Sequence, residues 1–409
     1  MDEEDGGAQV TGHAVGATGA RPMLARVLAV NVLHITDSDA GGGSARSAYR
    51  IHSTLRSQGH SSRMLVGRRQ TGDRDVRSIK RGVAWRAADR AFGAVADALS
   101  LQYVFYPSSI GVTGDPWFRD CDVVQLYNTH GSYFSHTSLP LLSRRRPIVW
   151  RLSDMWPFTG HVAYSYECER WRHGCGSCPY LHEYPGLPRD TTALLWKVKD
   201  AVYRRSRLTL VAPSSWLERL AGESPLLGRF AIRRIPNGVD LDEFRPDPAA
   251  RTTDGAPVIL FSAPDLADRR KGRVLLDRAL ALVDSDYRLV VHGDGRHGLA
   301  RQYAAADLFV LPTLADNLPN AVIESMASGT PVVSFDVGGV GDAVRHLETG
   351  WLAPAGDVAG LAEGIRTLLG DRPLRERLGR QAREVAEREY AADLEARRFA
   401  ELYEELLAA

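Results

Sequence analysis

The sequence predicts a doubly wound α/β protein made of two Rossmann-like domains facing a cleft, and three observations predict it. Short apolar runs recur along the 409 residues, separated by stretches of helical periodicity, which is the rhythm of parallel sheets covered by helices on both faces. The rhythm breaks once, at Ile235-Pro236-Asn237-Gly238 followed by Pro246 and Pro248, where turn-forming residues mark a linker. The length also exceeds what one hydrophobic core ordinarily serves, so two cores are expected.

The elements follow in order. Residues 1–21 are acidic, Gly-rich and poor in large apolar side chains, so they cannot offset the entropy of ordering and read as a disordered tail. The first domain is expected over 22–236. It opens with a strand over Val27–Ile35, a loop carrying Gly41, Gly42 and Gly43, and a helix over Ala45–Leu55. Further strands are expected at Arg63–Val66, Val123–Leu126, Ile148–Leu152 and Leu208–Ala212. The second domain is expected over 237–387, with strands at Val258–Ser262, Leu289–His292, Asp307–Leu311 and Val332–Phe335. Helical patterns at Gly272–Val283, Leu299–Ala306 and Leu361–Leu369 lie between and after them. The stretch from Leu374 to Leu407 reads as largely solvated helices, with 388–409 as a terminal helix.

Composition narrows the function. Lys plus Arg number 51 and Asp plus Glu 50, a net charge of +1, so no global field recruits nucleic acid or an anionic membrane. The basic stretches Trp196–Arg207 and Arg144–Arg146 read as solvated faces, capable at most of weak, salt-sensitive peripheral contact with anionic lipid. The start lacks a signal peptide's basic and apolar regions, and no run of about 18 apolar residues is present, so a cytoplasmic location is expected.

The most informative segment runs from Leu311 to Pro331 and contains Asp316-Asn317-Leu318-Pro319-Asn320-Ala321 and Glu324. Pro319 suits a helix start and Gly329 the residue just past its end. The helix N-terminus then faces the carboxyl edge of the strand Asp307–Leu311, where open α/β sheets bind ligands and where free amides favour a phosphate. Asp316 and Glu324, with seven residues between them, supply two carboxylates able to accept paired hydroxyl hydrogen bonds. Arg269-Arg270-Lys271-Gly272, after the strand Val258–Ser262, brings cations to the same edge, with Lys271 and Arg270 placed to neutralise a diphosphate.

Here the sequence resembles the retaining glycosyltransferases of family 4, which have the GT-B architecture. Their mark is two acidic residues with seven between, ahead of a strand like Gly329-Thr-Pro-Val-Val. Asp316-Asn-Leu-Pro-Asn, Phe335-Asp-Val-Gly338-Gly339 and Thr349-Gly350-Trp-Leu-Ala-Pro are similar to the colanic-acid, exopolysaccharide-type subgroup. The resemblance covers roughly Val27 to Glu405. It implies transfer of a sugar from a nucleoside diphosphate sugar to a hydroxyl of a glycan, lipid-linked or small-molecule acceptor, with retention and with no cofactor or catalytic metal. It favours uridine over guanosine diphosphate sugars. Glu324 is implied to bind the ribose, and Asp316 with the backbone of Asn317, Leu318, Asn320 and Ala321 to hold the donor sugar. Gly42, Gly43 and Asp154 are further donor-side candidates, and His130 a candidate on the acceptor side.

Three departures stand out. Where relatives carry histidine before Asp154 this chain has Ser153, which cannot titrate as an imidazole does. Cys168, Cys175 and Cys178 with His161 have spacing suited to one structural zinc ion, while reduced, packed thiols are the competing reading and Val162 stands where the subgroup has another cysteine. The gap between Leu289–His292 and Asp307–Leu311 is short by one βα unit, so an exposed strand edge is expected there. The Gly41–Gly43 loop is not Gly-x-Gly-x-x-Gly, which argues against a dinucleotide fingerprint. Ser153 and the lost unit leave a second reading open, a degenerate GT-B partner or scaffold protein without activity.

Overall fold

The computed structural model describes residues 29–80, 82–250, 255–293 and 298–409; the expected tail 1–21 lies outside them. Two parallel sheets form the protein. The first contains β1 (Asn31–Ser38), β2 (Ser61–Arg68), β3 (Val76–Ser78), β4 (Val123–Leu126), β5 (Ile148–Arg151), β6 (Thr209–Ala212) and β7 (Ala231–Arg234), in the spatial order β3-β2-β1-β4-β5-β6-β7. The second contains β8 (Val258–Ser262), β9 (Arg288–His292), β10 (Leu308–Leu311), β11 (Val332–Phe335) and β12 (Gly350–Ala353), in the order β12-β11-β10-β8-β9.

Strand order reverses between β1 and β4 in one sheet and between β8 and β10 in the other. At such a switch the connecting segments leave in opposite directions and open a crevice outside the strands' carboxyl ends. Residues at β4, β5, β8, β10 and β11 are buried throughout, as strands covered by helices on both faces must be. Each sheet has an apolar cluster on either face, around Leu33, Trp150 and Phe158 or Val32, Ile51 and Val149 in the first, and around Phe309, Ile323 and Met326 or Ile259, Leu276 and Ile365 in the second.

A single helix, Leu299–Ala305, stands between β9 and β10 among the described residues, in keeping with the short gap in the sequence. β9 is consequently an edge strand, and Val291 is exposed on it. The chain passes from the first sheet to the second through 235–239 and returns at 390–392. There the Val239 N–H donates to Tyr390 O at 2.7 Å and the Ala392 N–H to Val239 O at 2.9 Å, so the two crossings are bonded side by side.

The C-terminal stretch is not largely solvated. The helix Arg372–Glu389 packs against the helix Asn320–Ala327, and the helix Ala392–Ala408 against the helix Gly43–Ser57. Phe399 and Tyr403 are fully buried in the core of the first domain, because an apolar stripe repeating at helical spacing must be covered by something. The basic run 196–207 is not a uniform solvated face either, since Lys199 points inward and is buried. Among the described residues no helix is long and apolar enough to cross a membrane.

Candidate active site

Just after β8 the Asp268 carboxylate caps the backbone N–H of Arg270 at 2.9 Å and starts the tight turn Arg269–Lys271. Gly272 ends the turn with φ +75°, and a Cβ there would lie 1.8 Å from the carbonyl oxygen of Pro312. Only glycine permits this contact, and it presses the turn onto the loop that follows β10. The Leu314 N–H then donates to Arg270 O at 2.8 Å, and the Thr313 hydroxyl to the same oxygen at 3.0 Å.

This seating delivers two cations to Asp316. Lys271 Nζ lies 2.5 Å, and Arg270 Nη1 3.1 Å, from Asp316 Oδ2. Arg270 also donates to Ala315 O at 2.9 Å and to Asp268 Oδ2 at 3.0 Å, with its guanidinium 4.9 Å from the Tyr164 ring centre. Burial alone would raise the Asp316 pKa, but Lys271 and Arg270 outweigh it and hold the carboxyl below its ordinary value. Burial likewise acts to lower the Arg270 pKa, while Asp316, Tyr164 and Asp268 raise it on balance. The group is therefore a preformed, charged triad.

The helix Asn320–Ala327 begins after Pro319 and is followed by Ser328 and by Gly329 at φ +71°, so its predicted limits hold. Val322, Ile323, Met326 and Ala327 bury one face on the sheet. Glu324, itself 3% exposed, reaches the wall of a cavity of about 690 Å³ between the domains. Lys271, Arg270 and Asp316 line that same cavity, as do Gly42, Gly43, His130, Asp154, Asn317, Leu318, Asn320 and Ala321. The sequence-derived candidates thus converge on one concavity.

Two of them have a further part to play. The side chains of Asn317 and Asn320 tie the domains together. Asn317 accepts from the Ser214 hydroxyl at 2.6 Å and donates to Ser153 O at 3.1 Å. Asn320 donates to Gly43 O at 3.2 Å and accepts from Asn237 Nδ2 at 3.2 Å. Asn237 in turn donates to Leu318 O at 2.8 Å and accepts from Arg151, which is buried in β5. Ser153 hydrogen-bonds Ser44 at 3.0 Å between their hydroxyls.

Within the first domain, His130 Nε2 lies 3.0 Å from Asp154 Oδ2, and Asp154 Oδ1 accepts the Trp156 N–H at 2.9 Å. His130 Nδ1 is 3.4 Å from the Tyr184 hydroxyl. The imidazole is thereby oriented from both nitrogens, and it faces the cleft beside Asp154.

Of the two readings of the cysteine cluster, the zinc clip finds no support and packed thiols do. Cys178 Sγ is 3.4 Å from His161 Nε2, but Cys175 Sγ accepts the Gly160 N–H at 3.2 Å and His161 Nδ1 faces Pro185 O at 3.0 Å. Cys168, Cys175, Cys178 and His161 border one small cavity, and Gly174, Cys175, Gly176 and Ser177 have positive φ. Among the described residues no three His, Cys, Asp or Glu side chains are grouped to hold a metal. Burial pushes the Cys175 thiol up to about 11, as for a packed thiol.

Sequence reasoning missed Arg151, Asn237, Glu183 and Tyr184 as cleft residues. One signal was present: an arginine inside the apolar run Ile148–Leu152 has no reason to sit in a doubly covered strand unless it serves a buried partner.

Two doubly wound domains with a cleft across their carboxyl edges define a GT-B protein. Anabaena HepE in complex with UDP-glucose superposes with a TM-score of 0.63 at 15% identity, over 92% of this chain and 100% of that one. The family description "Glycosyl transferases group 1" matches residues 289–385. A D-inositol 3-phosphate glycosyltransferase of Streptomyces bingchenggensis is 30% identical over 343 residues, 67% of this chain and 70% of that protein. The putative colanic acid biosynthesis glycosyl transferase WcaC of Escherichia coli is 29% identical over 225 residues, 49% of this chain and 53% of its own length. The chain belongs to the group 1 glycosyl transferases. It spans about half the length of the first curated relatives it matches.

Proposed function

We propose that this protein transfers a sugar from a uridine diphosphate sugar to a hydroxyl of a glycan, lipid-linked or small-molecule acceptor, with retention, as an exopolysaccharide-type member of family 4. The observation that carries the reading is the meeting of Lys271, Arg270, Asp316 and Glu324 in one cavity across a strand-order switch. In this reading residues 22–236 serve the acceptor, 237–387 hold the donor, and the helix after 388 braces the first domain.

The chemistry follows from the charges. Lys271 and Arg270 would stabilise the negative charge that develops on the departing diphosphate, aided by backbone N–H groups at the start of the helix Asn320–Ala327. Glu324 would accept the ribose hydroxyls and Asp316 a donor-sugar hydroxyl. As the anomeric bond to the diphosphate breaks, the acceptor oxygen bonds to the same face, and its proton passes to a released phosphate oxygen. The cation pair supplies the neutralisation, so turnover needs no metal. Closure of the domains would exclude water and limit hydrolysis. Kinship with WcaC, whose name places it in colanic acid biosynthesis, and the UDP-glucose complex of HepE support the acceptor class and the nucleoside.

A thermal-shift comparison of UDP-glucose, UDP, GDP-mannose and ADP-glucose tests it. A ligand at about 100 times its Kd adds about 2.7 kcal/mol of stability, so uridine nucleotides should raise the melting temperature of wild type by several degrees and leave Glu324→Ala unmoved. If no nucleotide stabilises wild type, a non-catalytic scaffold becomes the better account.

A further inference from the structure

A second cavity, of about 450 Å³, opens beside the cleft. Its volume falls in the range of roughly 300–1,000 Å³ typical of ligand sites. It lies between the segment Met155–Glu183 of the first domain, the start of the helix Ser215–Glu223, and the loops at Leu314–Ala315 and Gly338 of the second.

The position relative to the donor site is informative. Tyr164, Tyr166, Glu183, Arg269 and Arg270 line both cavities. Arg270 bonds Asp316 at 3.1 Å, and Gly338 packs so closely on Asp316 that a Cβ there would lie 1.7 Å from its carbonyl oxygen. The second cavity thus adjoins Asp316, the end of the cleft read above as the sugar end, where an acceptor hydroxyl has to arrive.

Its chemistry selects a ligand class. Tyr164 and Trp216 stack with ring centres 6.4 Å apart at 20°, and Tyr166 and Tyr180 meet at 5.1 Å. Flat aromatic faces cover the apolar faces of pyranose rings, while the tyrosine hydroxyls and nearby carboxylates accept hydroxyl hydrogen bonds and the indole N–H donates one. Glu167, Glu169 and Glu183 supply the carboxylates, and Arg172, Arg269 and Arg270 balance them in charge. Ionisable side chains set around the aromatic rings disfavour a lipid tail, and their equal numbers of each sign favour a neutral ligand.

We infer that this second cavity binds a neutral oligosaccharide, the sugars of an acceptor glycan that lie beyond the one receiving the new bond. The inference rests on the donor-site reading for its place in the reaction, but glycan binding is measurable without it.

Saturation-transfer NMR with maltotetraose, cellotetraose and tetra-N-acetylchitotetraose, beside glucose as a single-ring control, tests it. At least one tetrasaccharide should bind wild type and Glu324→Ala alike, with glucose giving no signal. Binding should weaken about tenfold or more in Trp216→Leu and in the exposed-site double variant Tyr180→Ala/Glu167→Gln, the latter chosen because it disturbs little packing. Absence of signal from all three tetrasaccharides, or signal unchanged in both variants, overturns the inference. The UDP thermal shift on the same samples separates the two readings: a UDP shift without glycan signal sinks only this one, and glycan signal without a UDP shift sinks only the donor-site reading.

Discussion

Lys271 Nζ stands 2.5 Å from Asp316 Oδ2, joining the loops after β8 and β10 across the strand-order switch. Both side chains are mostly buried, at 15% and 11% exposure, so neither charge is cheaply left alone. Removing one partner of a buried pair costs about 3–5 kcal/mol, and Arg270 softens that loss by keeping its own contact with Asp316. Lys271→Met should therefore unfold at distinctly lower urea, and Lys271→Met/Asp316→Asn should recover much of the difference without regaining UDP binding. The pair has an acid signature as well. The folded Asp316 pKa lies below its ordinary value, so its stabilisation is complete above about pH 4 and lost as pH falls through the lowered folded value. The stability gap between wild type and Asp316→Asn should be flat from pH 8 to 5 and shrink below 4.

Asn237 links three parts of the cleft, accepting from Arg151 and donating to Leu318 O and Asn320. Its removal leaves the Arg151 guanidinium buried without that acceptor, which costs about 1–3 kcal/mol. Because Asn320 also reaches Gly43 O at 3.2 Å, the loss should loosen the domains. Asn237→Ala is expected to melt several degrees lower and to bind UDP more weakly by calorimetry. A variant that melts lower yet binds UDP as wild type does would show that the tie serves stability alone.

Gly272 offers a steric test of how the basic turn is seated. Any side chain there meets Pro312 O at 1.8 Å and must adopt φ +75°. Overpacking costs about 1–3 kcal/mol and a left-handed non-glycine residue about 1–2 kcal/mol more. Gly272→Ala should lower the urea midpoint by several tenths of the wild-type value and weaken UDP binding, since the turn carries both Arg270 and Lys271. Gly41→Ala, where no atom lies within 4 Å of the added Cβ, pays only for its φ of +99° and should destabilise less.

These positions show what the sequence could and could not announce. The strands that the apolar runs do not reveal, β3, β7 and β12, all stand at sheet edges. An edge strand is covered incompletely, so β7 reads Ala231-Ile-Arg-Arg and is largely exposed, with no run of apolar residues to find. Central strands such as β4 and β8 match their predicted limits because both faces are buried. The acids and cations of the second domain were legible because they sit close to one strand end each. The cross-domain partners Asn237, Arg151 and Gly43 were not legible as a set, since what joins them is the angle between domains. The Cys-x-x-Cys spacing sets reach but not direction: Cys175 Sγ accepts the Gly160 N–H while Cys178 Sγ lies beside His161.

Lys199 carries the clearest pH prediction outside the cation–carboxylate triad. Its Nζ donates to Trp156 O at 2.6 Å and Thr159 O at 3.0 Å and lies 3.7 Å over the Trp156 ring, bracing the loop that follows Asp154. Burial, opposed only in part by Cys175 and Asp154, pushes its pKa down from 10.5 to about 7. Between those two values the unfolded chain binds a proton that the folded chain does not, so stability must rise with pH across that window. Below about 7 both states are protonated and the cost of burying the charge is fully present. Relative to Lys199→Met, wild type should hold a constant unfolding free energy from pH 5.5 to 6.5 and gain steadily from 7 to 10. Parallel curves across pH 7 to 10 would mean that the two carbonyls and the indole face keep the ammonium charged in the fold, and the loop would then be braced by a cation at every physiological pH.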